Sequence, residues 1–237
     1  MVEKIDYEMI GKALWFPAEK ILVIADLHIG YEDMLSSAGV FIPKHQFQQT
    51  LDELARVVDR IGKVKEIVIC GDLKHEFGKI SNQEWKETLK ILDFLQERGK
   101  VVLVRGNHDS ILEPIARRRG LKIVESYVVK GILFAHGDKK VNISDKKIKM
   151  IVLGHKHPAI TVSDNYKSEK YKCFLVGKWQ GKLVVILPSF FPLVEGSDVS
   201  LEDTNLGFEL NLKEFDVYVP VSGEENVLKF GKLKKFI

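Results

Sequence analysis

The 237-residue chain contains only two cysteines, Cys70 and Cys173, which lie far apart in the sequence. One pair in a chain of this length is not a disulfide framework, so we expect a reducing compartment and a cytoplasmic location. No apolar run approaches the roughly 20 residues that a membrane span needs. The charged first residues lead into no apolar segment of a signal peptide. The sequence therefore predicts a protein that does not enter a membrane.

The chain also lacks a strong charge of either sign. It has 36 Lys and Arg against 33 Asp and Glu, which gives a formal net charge of +3. This charge is too small to indicate nucleic-acid binding by itself, although it does not oppose an anionic substrate. Apolar residues make up 45% and charged residues 29%, as is typical of folded domains.

Short apolar runs predict buried strands, because they are rich in Val, Ile and Leu without alternation. The runs are ILVIAD (21–26), EIVICGD (66–72), VVLVRGN (101–107), GILFAHGD (131–138) and MIVLGH (150–155). Amphipathic helices are predicted over 45–62 and 81–99, and we interpret their apolar stripes as core. After about residue 126, strand pairs with Gly-containing turns dominate. The predicted fold class is α/β: a two-sheet β-sandwich flanked by helices, with parallel strands in the first half and a β-rich second half. We expect a single domain over residues 1–237.

Each of the five apolar runs ends in side chains that can bind a metal ion. In an extended chain, residues i and i+2 point to the same side, so Asp26 pairs with His28 and His155 with His157. In open α/β sheets, ligands bind beyond the carboxyl ends of the strands, so the five ends can converge on one cleft. The candidate ligands are Asp26, His28, Asp72, Asn107, His136, His155 and His157.

Each candidate taken alone also has an ordinary structural explanation. Asp72 follows a glycine, which is common turn chemistry, and Asp26 could cap a helix. A single buried histidine such as His136 is more often a hydrogen-bonded core residue, and Asn107 could occupy a left-handed turn. The joint placement of all seven at strand ends favours a metal site.

The donor types indicate which ions to expect. Asp, Asn and His without thiolates suit Mn²⁺, Fe or Zn²⁺ better than Ca²⁺. Seven ligands are too many for one tetrahedral ion and suit two ions that share a carboxylate, about 3.5–4 Å apart. Such a pair would lower the pKa of a shared water and clamp the oxygens of a phosphoryl group during an in-line displacement. We expect two divalent ions. Mn²⁺ is the ion expected most, and Zn²⁺, Fe and Ni²⁺ are the alternatives.

The third run continues into a predicted helix. Ser110 and Glu113 have the spacing of a capping box, and Pro114 falls in the first turn. This prediction places Asn107-His108-Asp109 just before a helix N-terminus, which is a natural site for a phosphate oxygen.

Taken in order, these motifs resemble the calcineurin-like metallophosphoesterases, and they end at His157, about two-thirds of the way along the chain. The matching motifs are Asp26-x-His28, Gly71-Asp72, Gly106-Asn107-His108-Asp109, His136 and Gly154-His155-x-His157. The resemblance implies a β-sandwich with a two-metal site. It implies that Asp26, His28 and His157 hold one ion. It implies that Asn107, His136 and His155 hold the other, and that Asp72 bridges. It further implies that His108 acts near the leaving group and that Asp109 orients it.

One departure from the family bears on the substrate. Ser/Thr protein phosphatases of this family carry an Arg shortly after the second motif, where this chain has His75-Glu76. The departure argues against phosphomonoester substrates. Segments 15–32 and 71–77 are more similar to a small prokaryotic branch that includes the ligase-associated DNA-damage-response endonuclease, and more distantly to double-strand-break repair nucleases.

We therefore predict an enzyme, a phosphodiesterase whose substrate is a phosphodiester, with DNA or RNA expected. A phosphodiesterase of small molecules such as cyclic nucleotides is the alternative, and a non-catalytic binding module on this fold is a third hypothesis that the intact His108 opposes. His75, Glu76 and Asp138 are interpreted as groups that support the ligands, with plain loop polarity as the alternative for the first two. The segment LPSFFPL (187–193) is interpreted as apolar packing rather than as a wall of the cleft. The oligomeric state stays open, with a homodimer among the alternatives.

Overall fold

The computed structural model describes residues 5–40, 42–43, 45–141, 143, 145–164, 166–199, 207–221, 223–224 and 226–237. Its helices are α1 (Tyr31–Ser37), α2 (Gln46–Ile61), α3 (Asn82–Gln96) and α4 (Glu113–Arg118). The strands of the first half are β1 (Glu8–Ile10), β2 (Ala13–Phe16), β3 (Ile21–Ile24), β4 (Glu66–Cys70), β5 (Lys100–Val104), β6 (Ile123–Val124), β7 (Ser126–Val129) and β8 (Ile132–Ala135). Those of the second half are β9 (Met150–Leu153), β10 (Pro158–Ser163), β11 (Ser168–Lys172), β12 (Phe174–Trp179), β13 (Lys182–Ile186), β14 (Ser197–Asp198), β15 (Asp216–Pro220) and β16 (Val227–Lys232).

One sheet has six strands in the order β1-β2-β3-β4-β5-β6. The strands β3, β4, β5 and β6 are parallel, whereas β1, β2 and β3 are joined as antiparallel neighbours. Parallel neighbours need a crossover, and α2, α3 and α4 supply one between each successive pair. The carboxyl ends of these strands therefore lie along one edge of the sheet.

A second sheet has seven strands in the order β16-β15-β12-β13-β9-β8-β7, and a small third sheet has the order β11-β10-β14. Within the second sheet β8, β9 and β13 are parallel, and the other neighbours are antiparallel. The ends of β8 and β9 thus lie side by side, like those of β3 to β5 in the first sheet.

The two large sheets pack face to face over an apolar layer to which both contribute. Phe16 on β2 and Phe134 on β8 meet across this layer as an edge-to-face pair, with ring centroids 6.0 Å apart and planes at 86°. The stripes of α2 and α3 cover the outer face of the first sheet, where Leu54, Leu92 and Leu95 are fully buried. The predicted sandwich, its flanking helices and its five buried strands are confirmed.

The predicted capping box at Ser110 is wrong. The Ser110 hydroxyl donates to the carbonyl of Phe77 instead, at 2.7 Å, and α4 begins at Glu113 without a side-chain cap. Asn107–Asp109 form a 3-10 turn of their own, in which the carboxylate of Asp109 accepts the Gly106 N–H at 2.9 Å. The motif therefore does not lie at a helix N-terminus. The short helix α1 was not predicted, because it follows a left-handed Gly30 and has no side-chain cap.

Among the described residues, none of the helices has both the length and the apolar character that crossing a bilayer requires.

Candidate active site

The segments that follow β3, β4, β5, β8 and β9 meet at one edge of the sandwich and bring all seven predicted ligands together. Three groups of donor atoms, each spanning no more than 4.8 Å, result from this convergence: two consist of predicted ligands alone, and a further one joins His28 to His75 and His108. The first group is Asp26, His28, Asp72 and His157; the second is Asp72, His136 and His155. Asp72 belongs to both groups, which is the position that a bridging carboxylate would need.

In the first group, all four side chains aim their polar atoms at the same space. His28 Nε2 lies 3.1 Å from His157 Nε2 and 3.8 Å from Asp72 Oδ2. His157 Nε2 lies 3.4 Å from Asp26 Oδ1. The carboxylate of Asp26 also accepts the backbone N–H of His155, at 3.1 and 3.0 Å, so it ties the fifth motif to the first.

In the second group, His136 is held from the other large sheet, by the last residue of β4. Its Nδ1 lies 2.9 Å from the carbonyl of Cys70, so that nitrogen carries the hydrogen and Nε2 faces the site. His136 Nε2 lies 3.3 Å from Asp72 Oδ2, 3.1 Å from His155 Nδ1 and 2.9 Å from Asn107 Oδ1. Asn107 thus joins the second group through its amide oxygen.

The electrostatics of the cluster favour positive charge at its centre. Burial raises the pKa of Asp26, but His157 and His136 outweigh it, so the pKa of that carboxyl lies below its usual value. Burial also raises the pKa of Asp72, but His136 outweighs it, so the pKa of that carboxyl is lowered as well. Burial lowers the pKa of His136, yet Asp72 and Asp26 raise it to about 9. Two buried carboxylates that face imidazole nitrogens, without a thiolate, fit divalent metal ions.

Backbone strain is concentrated in the same residues. Eight described non-glycine residues have a positive φ, and five of them are predicted ligands: Asp26, His28, Asp72, His155 and His157. The left-handed region costs an L-residue about 1–2 kcal/mol. The strain persists because surrounding hydrogen bonds hold the turns, such as Asp26 N–H to Gly71 O at 3.1 Å and His28 N–H to Asp72 O at 3.0 Å.

The structure revises how His108 is oriented. Its Nδ1 faces the carbonyl of His75, and its Nε2 lies 4.0 Å from Asp72 Oδ2. Asp109, which the resemblance assigns to this task, is fully buried and accepts the backbone N–H groups of Gly106, Asp72 and Leu73 at 2.9, 2.8 and 3.1 Å. Asp109 therefore holds the second and third motifs in register. Burial and the nearby Asp72 raise its pKa to about 6.

The three residues interpreted as support for the ligands differ in their placement. His75 Nδ1 lies 3.3 Å from His28 Nδ1, so it contacts a predicted ligand directly. Glu76 acts through its backbone, because its N–H donates to Glu84 at 3.0 Å and its carbonyl accepts the Lys74 ammonium. Burial and His136 lower the pKa of His155, and the charge of the nearby Asp138 opposes this shift.

Sequence reasoning missed the fully buried Lys74, whose ammonium donates to the backbone carbonyls of Glu76 and His108. The motif Gly71-Asp72-Leu73-Lys74 lies at a turn, where a lysine is ordinarily exposed, so no signal in the sequence indicated its burial. The ammonium links the second motif to the third.

The segment LPSFFPL does flank the site, so its interpretation as packing alone is wrong. Phe190 N–H and Phe191 N–H donate to the carbonyls of Ala25 and Asp26, at 2.9 and 3.2 Å. Phe190 packs into the core, whereas the Phe191 ring lies against His28, with centroids 5.7 Å apart. The partly buried Lys172 donates through its ammonium to Ser189 and to the Phe191 carbonyl, and it fixes this segment in place.

A β-sandwich that gathers Asp and His donors for divalent ions at the ends of its parallel strands defines a metal-dependent enzyme. The family model described as calcineurin-like phosphoesterase matches residues 19–217, and the chain belongs to that family. It is a phosphoester hydrolase, and the resemblance stated from its motifs is confirmed.

Solved structures are similar to this chain to different degrees. The nuclease MPE of Pseudomonas putida is 20% identical, with a TM-score of 0.66, and the match covers 95% of this chain and 100% of that one. Vps29 from Entamoeba histolytica, solved with Zn²⁺, is 19% identical with a TM-score of 0.38, and the match covers 89% of this chain and 98% of that one. No curated protein sequence matches this chain significantly.

The strain at His28 can be measured without a metal. His28 has φ +46°, which glycine adopts freely and alanine does not. We therefore expect His28→Gly to be more stable than His28→Ala by about 1 kcal/mol in urea unfolding with EDTA present. Lys86 is the control, because it is an exposed position inside α3, where glycine costs more than alanine. Lys86→Gly should therefore be less stable than Lys86→Ala by about 1 kcal/mol. Equal stabilities of the two His28 variants would show that this turn is not strained.

Proposed function

We propose that this phosphoester hydrolase is a phosphodiesterase that acts on phosphodiester bonds of nucleic acid. It is proposed to hold two divalent ions, with Mn²⁺ as the preferred metal. The whole chain, 1–237, is proposed to work as one domain. The proposed ligands of one ion are Asp26, His28 and His157, and those of the other are Asn107, His136 and His155. Asp72 is proposed to bridge the two, which its membership of both donor groups supports. Ions held there would supply positive charge to the reacting phosphoryl group and activate the attacking water.

The observation that carries the diester proposal is the chemistry of the segment after Gly71-Asp72. A doubly charged phosphomonoester needs a strong cationic anchor there, and an Arg would serve as one. In this chain Lys74 is turned away and donates to two backbone carbonyls. His75 is the residue that faces the other histidines, and burial together with His108 lowers its pKa to about 4, so it is neutral at pH 7. The segment therefore suits a diester, which carries one charge less.

Two features support nucleic acid as the substrate. A pocket of about 310 Å³ beside His136 is lined by Arg105, Lys139 and Lys140 as well as Glu125 and Asp138. Arg105 Nε lies 2.9 Å from Glu125 Oε1 and Lys139 Nζ lies 3.9 Å from Asp138 Oδ2, so a further phosphate of a polynucleotide is proposed to compete with these carboxylates for the cations. The similar structure from Pseudomonas putida is that of a nuclease, which agrees with this proposal.

His108 is proposed to give a proton to the leaving oxygen. Because its Nδ1 is engaged by the carbonyl of His75, the mobile proton belongs to Nε2. That nitrogen lies 4.0 Å from Asp72 Oδ2, so it points toward the proposed metal site, where a general acid would meet the leaving oxygen. Asp109 and Lys74 act by fixing the backbone on either side of this ring.

The metal stoichiometry is testable by calorimetry. Titration of the metal-free protein with Mn²⁺ should saturate at two ions per chain, because Asp72 belongs to two donor groups. Asp72→Asn should weaken both binding events by about 10- to 100-fold or more, whereas Asp164→Asn, an exposed carboxylate, should change neither. Saturation of the wild type at one ion would contradict the bridging assignment. Parallel titrations with Zn²⁺, Fe²⁺ and Ni²⁺ would rank the alternatives to Mn²⁺.

The substrate class is testable with nitrophenyl esters. With Mn²⁺ present, kcat/KM should be higher for bis(4-nitrophenyl) phosphate than for 4-nitrophenyl phosphate, because Lys74 is engaged by two backbone carbonyls and does not anchor the second charge. His75→Arg should shift the preference toward the monoester, since a guanidinium binds phosphate in a bidentate manner. Ala18→Arg, which adds the same charge in the turn before β3, should leave the ratio unchanged. A wild type that prefers the monoester would contradict the phosphodiesterase proposal.

The role of His108 depends on the leaving group. General acid catalysis contributes about 10²–10⁴-fold, and an alkoxide needs it far more than a nitrophenolate does. His108→Asn should therefore lower hydrolysis of sugar-linked diesters by up to this factor and that of nitrophenyl diesters much less, with the Mn²⁺ content unchanged. His45→Asn, a histidine outside all three donor groups, should have neither effect. Loss of bound Mn²⁺ in His108→Asn would make His108 a ligand instead.

A further inference from the structure

One large aromatic side chain at the mouth of the site is left exposed on a fixed loop. Phe77 is 51% exposed, and a single exposed phenylalanine by itself is ordinary. Its ring, however, lies over the ring of His108, with centroids 3.9 Å apart and planes at 34°. One face of Phe77 therefore covers the proposed general acid, while much of the ring is open to solvent.

The loop that carries Phe77 is held from both sides. The hydroxyl of Ser110 donates to the Phe77 carbonyl at 2.7 Å. The N–H groups of His75 and Glu76 both donate to the buried carboxylate of Glu84, at 2.9 and 3.0 Å. Because the backbone is fixed, the exposed ring is presented in a defined place. A surface of that kind is preorganised for a flat partner.

The rings continue inward from Phe77 as an unbroken series. His108 lies beside His75, with centroids 5.1 Å apart, and His75 meets Tyr31 at 4.6 Å. Tyr31 in turn meets Phe191 at 4.9 Å. One side of the cleft is therefore an aromatic wall that begins at Phe77, whereas the cationic pocket beside His136 lies on the side of the second donor group.

We infer that Phe77 is a stacking subsite for the nucleobase of the nucleotide that leaves. This inference rests on the proposed phosphodiesterase function, because the proton from His108 goes to the leaving oxygen. The sugar that carries this oxygen also carries a base, and Phe77 is the exposed ring directly on His108. Stacking on an aromatic side chain is tolerant of base identity, so the subsite selects nucleic acid over simple diesters without selecting a sequence.

The first test compares three dinucleotides with Mn²⁺ present: thymidylyl-thymidine and two analogues in which one or the other sugar is a tetrahydrofuran without a base. The products identify which oxygen leaves. In the wild type, removal of the base on the leaving side should lower kcat/KM by about 5- to 150-fold, the range that stacking energies per base correspond to. Removal of the other base should have a smaller effect.

Variants of Phe77 separate stacking from support of His108. Phe77→Ala should lower kcat/KM on the complete dinucleotide by about the same 5- to 150-fold and should abolish the difference between it and the analogue without the leaving-side base. Phe77→Trp should keep that difference, and Phe77→Leu, which is apolar but not flat, should lose most of it. Phe230→Ala is the matched control, because Phe230 is a 39% exposed aromatic on the edge strand β16, with β15, β12 and β13 between it and β9.

A binding readout that needs no turnover completes the design. The fluorescence of 2-aminopurine deoxyriboside, which has no phosphate to hydrolyse, should be quenched by the Mn²⁺-loaded wild type and by Phe77→Trp, and not by Phe77→Ala.

If Phe77→Ala lowers activity on all three dinucleotides by one common factor and quenching is unchanged, Phe77 only supports His108 and the inference is wrong. If the wild type hydrolyses bis(4-nitrophenyl) phosphate and both abasic analogues as fast as the complete dinucleotide, the phosphodiesterase proposal stands and the stacking subsite falls. If the wild type hydrolyses no diester at all, the proposed function fails, and the inference fails with it.

Discussion

Parallel pairing of strands in both sheets is the constraint on which the site depends. Strands β3, β4 and β5 run parallel in one sheet, and β8 and β9 run parallel in the other, so five chain segments leave the sandwich at the same edge. After β3, β4 and β9 the chain turns sharply, and there predicted ligands themselves adopt left-handed conformations. The strain of these turns is local, and it is held by a large core of buried Val, Ile, Leu and Phe.

Buried charges then lock the turns to one another. The carboxylate of Asp109 accepts backbone N–H groups from both the second and the third motif. The ammonium of Lys74 links the same two parts of the chain by donating to the carbonyls of Glu76 and His108. A close approach at Gly106 has the same effect, since an added Cβ would lie 2.1 Å from Asp72 Oδ1. Donor atoms can be held within a few ångströms of each other only because the backbone around them cannot relax.

The site has two chemically different sides, and this asymmetry connects geometry to the proposed function. On one side, rings from Phe77 through His108 to Phe191 form an aromatic wall. On the other, Arg105, Lys139 and Lys140 line a pocket beside His136. A polynucleotide offers both flat bases and repeated phosphates, so a substrate of this class matches the two sides together.

The sequence by itself determined the fold class and the candidate ligands, because both follow from local patterns. Buried parallel strands need uninterrupted Val and Ile, and each such run here ends in Asp, Asn or His, so Asp26, Asp72 and His136 could be identified without a structure. The tertiary structure alone decided which groups surround them. Lys74 is buried by contacts 34 residues away, Phe191 reaches His28 from the end of β13, and Ser110 bonds to Phe77 rather than capping a helix. A linear pattern carries the preference of each residue for its neighbours along the chain, whereas these contacts join residues far apart in sequence and form only when the two sheets pack together.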